Sequence, residues 1–350
     1  MNPVIIHPGT APGPDLVGLI VTQEVSNPVT GKRAFHKGHR IAAADLEVIS
    51  RLDRDLHAVR IDATDVHEDV AGVRLAELIR GDGVTQRNPV QSRVNIVSER
   101  KWLLRVDAEA VFTINRHPGI GVFTALDRLP VLPGKIVAGA KIAPVAIPGE
   151  TLTEIAGYLA SRPEPMLRVK PFIPYCVGVI VTEGLSESVR DRFEGVVQRK
   201  LRWYGANVLR FEHVPNVAAA IANAADALLA DGAELLLTAG GNMMDPLDAS
   251  IQALPEFDAS IVRLGAPAHP GSMFWLGYTN EHEIPVVNLA SCSMYSKSTV
   301  ADLVLPWVMA GEQVTSDDLA TLGYGGLLDR NMGWRFPPYD EQEVDEPDEE

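Results

Sequence analysis

From residue 176 onward, apolar runs of strand length alternate with stretches of helical periodicity, and that alternation restricts the fold more than any other feature of the chain. Residues 176–182, 207–211 and 234–238 are short apolar runs. Between them, 189–204 and 217–230 carry apolar residues at helical spacing, and 246–254 reads as the next helix. Two more runs, 260–264 and 286–289, and a helical stretch at 298–309 complete the pattern. Strands separated by helices specify a mostly parallel sheet covered on both faces, so an α/β domain of three layers is expected. In such sheets ligands bind beyond the carboxyl ends of the strands. The residues that immediately follow each run are therefore the candidate site.

The third run ends in Thr238-Ala239-Gly240-Gly241-Asn242. Two adjacent glycines after a buried strand permit unusual backbone angles and bring main-chain N–H groups close to a ligand, as in phosphate-binding turns. A helix following them points its positive end at the same place. A tight strand-to-helix connection uses the same residues, and composition leaves both readings open. Asp245 and Asp248 open the next helix. They can cap its N–H groups, or Asp248 can share a Mg²⁺ ion with a phosphate, because a bare carboxylate would repel the anion. Pro270, Gly271 and Ser272 in the turn after the fourth run, and Ser291 after the last, could wall a cleft or form ordinary turns.

The first half has less pattern. Strand-like runs at 17–22, 58–61, 101–106 and 135–147 and helical stretches at 43–52 and 70–79 suggest a smaller mixed α+β region spanning 1–165. The chain of 350 residues has room for two domains, and Arg162-Pro163-Glu164-Pro165 marks the break between them. Acidic residues fill eight of the last eleven positions, so 336–350 is expected to be an acidic, disordered tail. A net charge of −15 argues against nucleic acid as the main partner. The sequence has no membrane-spanning run and no leader pattern, so a cytoplasmic protein is expected. Cys176 and Cys292 are too few for a disulfide framework, and Cys292 has no assigned base. His67-Glu68 is not a zinc-protease motif, since Ala71 stands where the second His would be, and His36, His39 and His282 read as solvated loop residues.

Residues 172–312 resemble the molybdopterin-binding domain of molybdenum-cofactor biosynthesis proteins. In that family a strand ends in T-x-G-G and an Asp follows seven residues after the second Gly; Thr238, Gly240, Gly241 and Asp248 match. The order of strand 177–182, Gly205-Ala206-Asn207-Val208 and the Val214-Pro215 turn matches as well. Phe35-His36-Lys37-Gly38-His39 with Asp45-Leu46, Asp65-Val66-His67-Glu68-Asp69 and Ser92-Arg93-Val94-Asn95 is similar to the N-terminal region of molybdopterin-binding proteins. The resemblance implies a molybdopterin or molybdenum-cofactor ligand whose phosphate lies against the N–H groups of Gly240, Gly241 and Asn242. It places Asp245 at the binding turn and Asp248 toward Mg²⁺. It also implies that Pro270, Gly271, Ser272 and Ser291 flank the pterin.

This sequence departs from catalytic relatives at Asn216, where they carry Asp, at Asn242-Met243-Met244, and at Ala290-Ser291. These changes favour binding in maturation or delivery of the cofactor. The alternatives are a Mg²⁺-dependent molybdopterin adenylyl- or molybdenumtransferase with Asp248 as catalytic carboxylate, and a non-enzymatic assembly factor contacting a molybdenum hydroxylase or dehydrogenase. Relatives of the domain suggest a homo-oligomer by analogy alone.

Overall fold

The computed structural model describes residues 1–9, 11–90, 92–182, 184–240, 245–289 and 299–339. They divide into two units, the first made of Met1–Arg100, Leu104–Asp127 and Leu132–Val169, the second of Lys101–Leu103, Arg128–Val131 and Lys170 onward. The first unit is rich in antiparallel strands. Leu56–Arg60 pairs with both Asn2–Ile6 and Ile20–Val21. A four-stranded antiparallel sheet runs in the order Ile120–Thr124, Ile136–Ile142, Arg93–Ser98, Val84–Gln86. The helix Glu68–Ile79 buries Ala71, Leu75, Ala76 and Ile79, a stripe at spacings of three and four that gives it one apolar face.

Several elements of this unit differ from the sequence reading: the strands Val84–Gln86, Arg93–Ser98 and Ile120–Thr124 and the helix Ala108–Asn115 were not expected. The helix expected over 43–52 is a 3₁₀ turn, Ala43–Asp45, followed by the single turn Leu46–Ile49. The Asp45 carboxylate accepts from Ala42 N at 2.8 Å and pairs with His39 at 2.7 Å, which fixes a turn where a longer helix would start. His39 is thus a partly exposed loop residue tied to Asp45. The helix Gly149–Ala160 was not expected. Its first residue looks like a breaker, but a Cβ there would lie 2.7 Å from Thr64 O, so glycine serves a close backbone approach.

The second unit is built on strands β1 (Cys176–Val181), β2 (Asn207–His213), β3 (Leu235–Ala239), β4 (Ala259–Leu264), β5 (Trp275–Thr279) and β6 (Pro285–Leu289). Their order in the sheet is β2-β1-β3-β6-β5-β4. The β1–β2, β1–β3 and β3–β6 pairs are parallel, whereas β5 runs antiparallel to both β6 and β4. The expected mostly parallel sheet is present, with one reversed strand. β3, β5 and β6 are buried along their whole length, as strands with both faces covered must be.

Helices α1 (Glu187–Trp203), α2 (Ala218–Ala230), α3 (Ala249–Gln252) and α4 (Val300–Met309) supply the covers. Successive side chains of β3 take opposite faces. Leu236 joins Ile180 and Val286 in a cluster with Ala225 and Leu228 of α2 and with Leu254 and Phe257 beyond α3. Leu237 and Leu289 line a small cavity on the other face together with Val197 and Leu201 of α1 and Ala301 and Leu305 of α4. These clusters make three layers, helix on sheet on helix. α2 can approach because β1 has Gly178, where a Cβ would come within 2.9 Å of Leu228.

The expected helix at 246–254 is α3 and a 3₁₀ turn, Leu254–Phe257. Phe336 and Tyr339, at the start of the stretch expected to be an acidic tail, are buried; 340–350 lie outside the described residues. Among the described residues, no helix is long and apolar enough to cross a membrane.

Candidate ligand site at the carboxyl edge of the sheet

The parallel strands β1, β3 and β6 end on one edge, and the chain leaves β3 through Gly240. Gly240 has φ of +111°, a backbone region that strongly disfavours a Cβ, so the sequence needs glycine there. Beneath it, Thr238 faces Asn288 of β6, its direct partner in register. Asn288 Nδ2 donates to Thr238 Oγ1 at 3.0 Å, both side chains are buried, and among the described residues Asn288 Oδ1 has no hydrogen-bond partner. A buried amide oxygen left unpaired is uncommon and marks this spot. Asn288 was missed in the sequence because its pairing with Thr238, fifty positions away, exists only in the sheet register.

Gly241 and Asn242 of the glycine turn, and Ser291 of the last loop, lie outside the described residues. Asp245 is exposed ahead of α3 and its carboxylate accepts from Leu247 N at 2.9 Å. Asp248 is the residue before α3, buried, and its Oδ1 accepts from Ser250 N at 3.0 Å and Ser250 Oγ at 2.6 Å. This is an N-cap. α3 has only four residues, so the aligned helix dipole expected behind the glycines is small. Among the described residues, no three His, Cys, Asp or Glu side chains converge as a metal cluster.

The turn after β4 leaves the sheet three strands from β3, about 14 Å at ordinary strand spacing. Its Pro270-Gly271 tip instead meets the start of α4, whose Ala301 and Asp302 line one small cavity with Leu237 of β3 and Leu289 of β6. Val300 N, at the start of α4, donates to Pro270 O at 3.2 Å. Gly271 has φ of +101°, and a Cβ on it would sit 2.8 Å from Val300 N. Ser272 O accepts from Ala266 N at 3.1 Å, closing the base of the turn. Pro270, Gly271 and Ser272 thus form a loop docked on the first residues of α4. Asn216 is exposed in the turn after β2. On the same edge, His213 Nε2 pairs with Glu194 of α1 at 2.8 Å.

The described edge therefore combines a left-handed glycine, a buried polar pair with one unused acceptor, a capped turn and a loop seated on a helix start. Residues 176–310 match the family model described as "Probable molybdopterin binding domain". That stretch holds the whole six-stranded sheet and α1 through α4, and the site residues named here all fall within it. Among solved structures, the chain is similar to a "Putative molybdenum cofactor biosynthesis protein" from Corynebacterium diphtheriae. The identity is 16%, over 40% of this chain and 99% of that one, with a TM-score of 0.31. No curated protein matches the chain. The first unit lies outside the matched stretch, so the molybdopterin-binding model speaks for the sheet of the second unit.

Proposed function

We propose that the second unit binds molybdopterin or its molybdenum form and that the protein acts in biosynthesis, maturation or delivery of the cofactor. The observation that carries the reading is the family match across 176–310. Its geometry is compatible with such a ligand. The +111° φ of Gly240 leaves the main chain without a side chain at the carboxyl end of β3, where a phosphate can reach backbone N–H groups. The unpartnered Asn288 Oδ1 is an acceptor of the kind that a pterin ring, rich in N–H donors, would use. In this reading Asp248 stands toward a Mg²⁺ shared with the phosphate, and the Gly271 and Ser291 loops flank the ring.

Binding is favoured over catalysis because a glycine turn can offer main-chain N–H donors whatever its side chains, whereas Asn216 provides no carboxylate where catalytic relatives carry one. Calorimetry with purified molybdopterin tests the reading. Saturable one-to-one binding by the wild type is expected, lost in Gly240→Val and kept in Lys37→Ala of the first unit. Absence of binding by the wild type would sink it. Release of pyrophosphate from ATP in the presence of the pterin and Mg²⁺ would replace the carrier reading with an adenylyltransferase.

A further inference from the structure

We infer that the carboxylate of Asp302 is a positioning residue for this edge: it fixes the start of α4, and through it the Pro270-Gly271 loop, while Lys200 and Tyr339 hold the carboxylate in place. The inference rests on the reading of the edge as a ligand site. Asp302 is 1% exposed, and four donors surround it. Thr299 N at 3.2 Å and Thr299 Oγ1 at 2.8 Å reach Oδ2. Lys200 Nζ at 2.6 Å and Tyr339 OH at 3.0 Å reach Oδ1. A carboxylate has about four acceptor sites, so this one is fully used, as a buried charge requires.

The two oxygens point to different parts of the domain. Oδ2 reaches back to Thr299, the residue before α4, and accepts from both its N–H and its hydroxyl, the carboxylate half of a capping box. Val300, next in line, donates to Pro270 O and packs against Gly271, so the loop rides on the helix start. Oδ1 faces α1 and the C-terminal segment. Lys200 comes from α1 and lies 5.3 Å above the Tyr339 ring, and the Tyr339 hydroxyl also lies 3.3 Å from Tyr204 OH. Tyr339 thus closes over the group that holds the loop. Asp302 lies one helical turn inside α4, behind the edge itself, so it acts through Thr299 and Val300.

Tyr339→Phe removes one donor from Oδ1 and keeps the ring, Thr299→Val removes the hydroxyl that donates to Oδ2, and Thr299→Ser restores it. Gly232→Ala, in an exposed turn with nothing near its Cβ, is the control for general destabilisation. Amide exchange at Thr299 and Val300 in the ligand-free protein should rise about five- to tenfold in Tyr339→Phe and Thr299→Val, as expected for loss of a cap, and stay near wild type in Thr299→Ser and the control. Molybdopterin affinity of the folded variants should fall by a similar factor.

Unchanged exchange at Thr299 and Val300 in Tyr339→Phe overturns the inference. So does raised exchange with unaltered affinity, which would leave Asp302 a purely structural residue. If exchange rises as stated but the wild type binds no molybdopterin, the link from Asp302 to the loop stands, while the pterin reading and the claim that this link serves it both fall.

Discussion

Gly271→Ala tests whether the loop after β4 is seated on α4. A Cβ at φ of +101° costs about 1–2 kcal/mol in backbone strain, as for any L residue held on the left-handed side. Here the Cβ would also lie 2.8 Å from Val300 N and 3.1 Å from Thr299 Cβ. Backbone on one side and a capped helix start on the other leave little room to relax, so overpacking adds about 1–3 kcal/mol. Gly232→Ala carries nearly the same backbone strain, with φ of +93°, but nothing lies within 4 Å of its Cβ. The difference between the two variants isolates the contact with α4.

All five tryptophans, Trp102, Trp203, Trp275, Trp307 and Trp334, belong to the second unit, so their fluorescence in a urea titration reports on it. With a denaturant slope of about 2 kcal/mol per molar urea, Gly271→Ala should unfold about 0.5–1.5 M earlier than Gly232→Ala. Equal midpoints would refute the docking of the loop on α4, and with it the route by which Asp302 reaches the proposed site.

Other consequences can be checked on the same protein. Gly178→Ala should lower stability by about 1–3 kcal/mol in the same titration, because its Cβ would meet Leu228 and Leu236 at 2.9 and 3.0 Å. Asp248→Asn keeps an acceptor for the cap and should leave stability within about 0.5 kcal/mol, whereas Asp248→Ala should cost about 1 kcal/mol. If Asp248 shares Mg²⁺ with a phosphate, Asp248→Asn alone should abolish any dependence of molybdopterin binding on Mg²⁺; equal Mg²⁺ dependence in wild type and variant would refute that role. Burial pushes the Tyr278 phenol up to about 12 and holds Tyr204 and Tyr339 well above their ordinary value. The unfolded phenols lose their protons near pH 10, so stability is intact below that pH and falls between 10 and 12, by about 1.4 kcal/mol per unit for each phenol. Tyr278→Phe should make that fall shallower by one phenol's share, as read from unfolding midpoints across the window.

What the sequence made legible followed from local periodicity. β1 through β3, α1, α2, β6 and α4 each announce themselves within a dozen residues, and the parallel sheet follows from their order. β5 did not. Its run Phe274-Trp275-Leu276-Gly277-Tyr278 contains a glycine that reads as a breaker, yet a Cβ at 277 would lie 2.5 Å from Ser260 O on β4. The glycine is there because two strands come close, and that proximity is a tertiary fact. The antiparallel direction of β5 follows from the turn that returns from β4, where Gly265 N donates to Phe274 O at 2.8 Å. The site was legible to the same degree. Gly240 is visible in the doubled glycine, while the Thr238–Asn288 pair and the Lys200–Asp302 pair join residues about fifty and a hundred positions apart.

The carboxylates around the proposed site share a property that bears on binding against catalysis. Asp245 accepts from Leu247 N, Asp248 Oδ1 accepts twice from Ser250, and both oxygens of Asp302 are filled. Each already stabilises a turn or a helix start, and a carboxylate so held has less freedom to move a proton or to take a metal alone. A proton-transfer role would require one of them to leave its cap during the reaction, at about the cost of losing that cap, 0.5–2 kcal/mol. A carrier needs no such movement: in the proposed reading the main chain of the glycine turn and the acceptor on Asn288 take the ligand while every cap stays closed. Under the molybdopterin reading, the fixed carboxylates shape the edge, and the main chain holds the ligand.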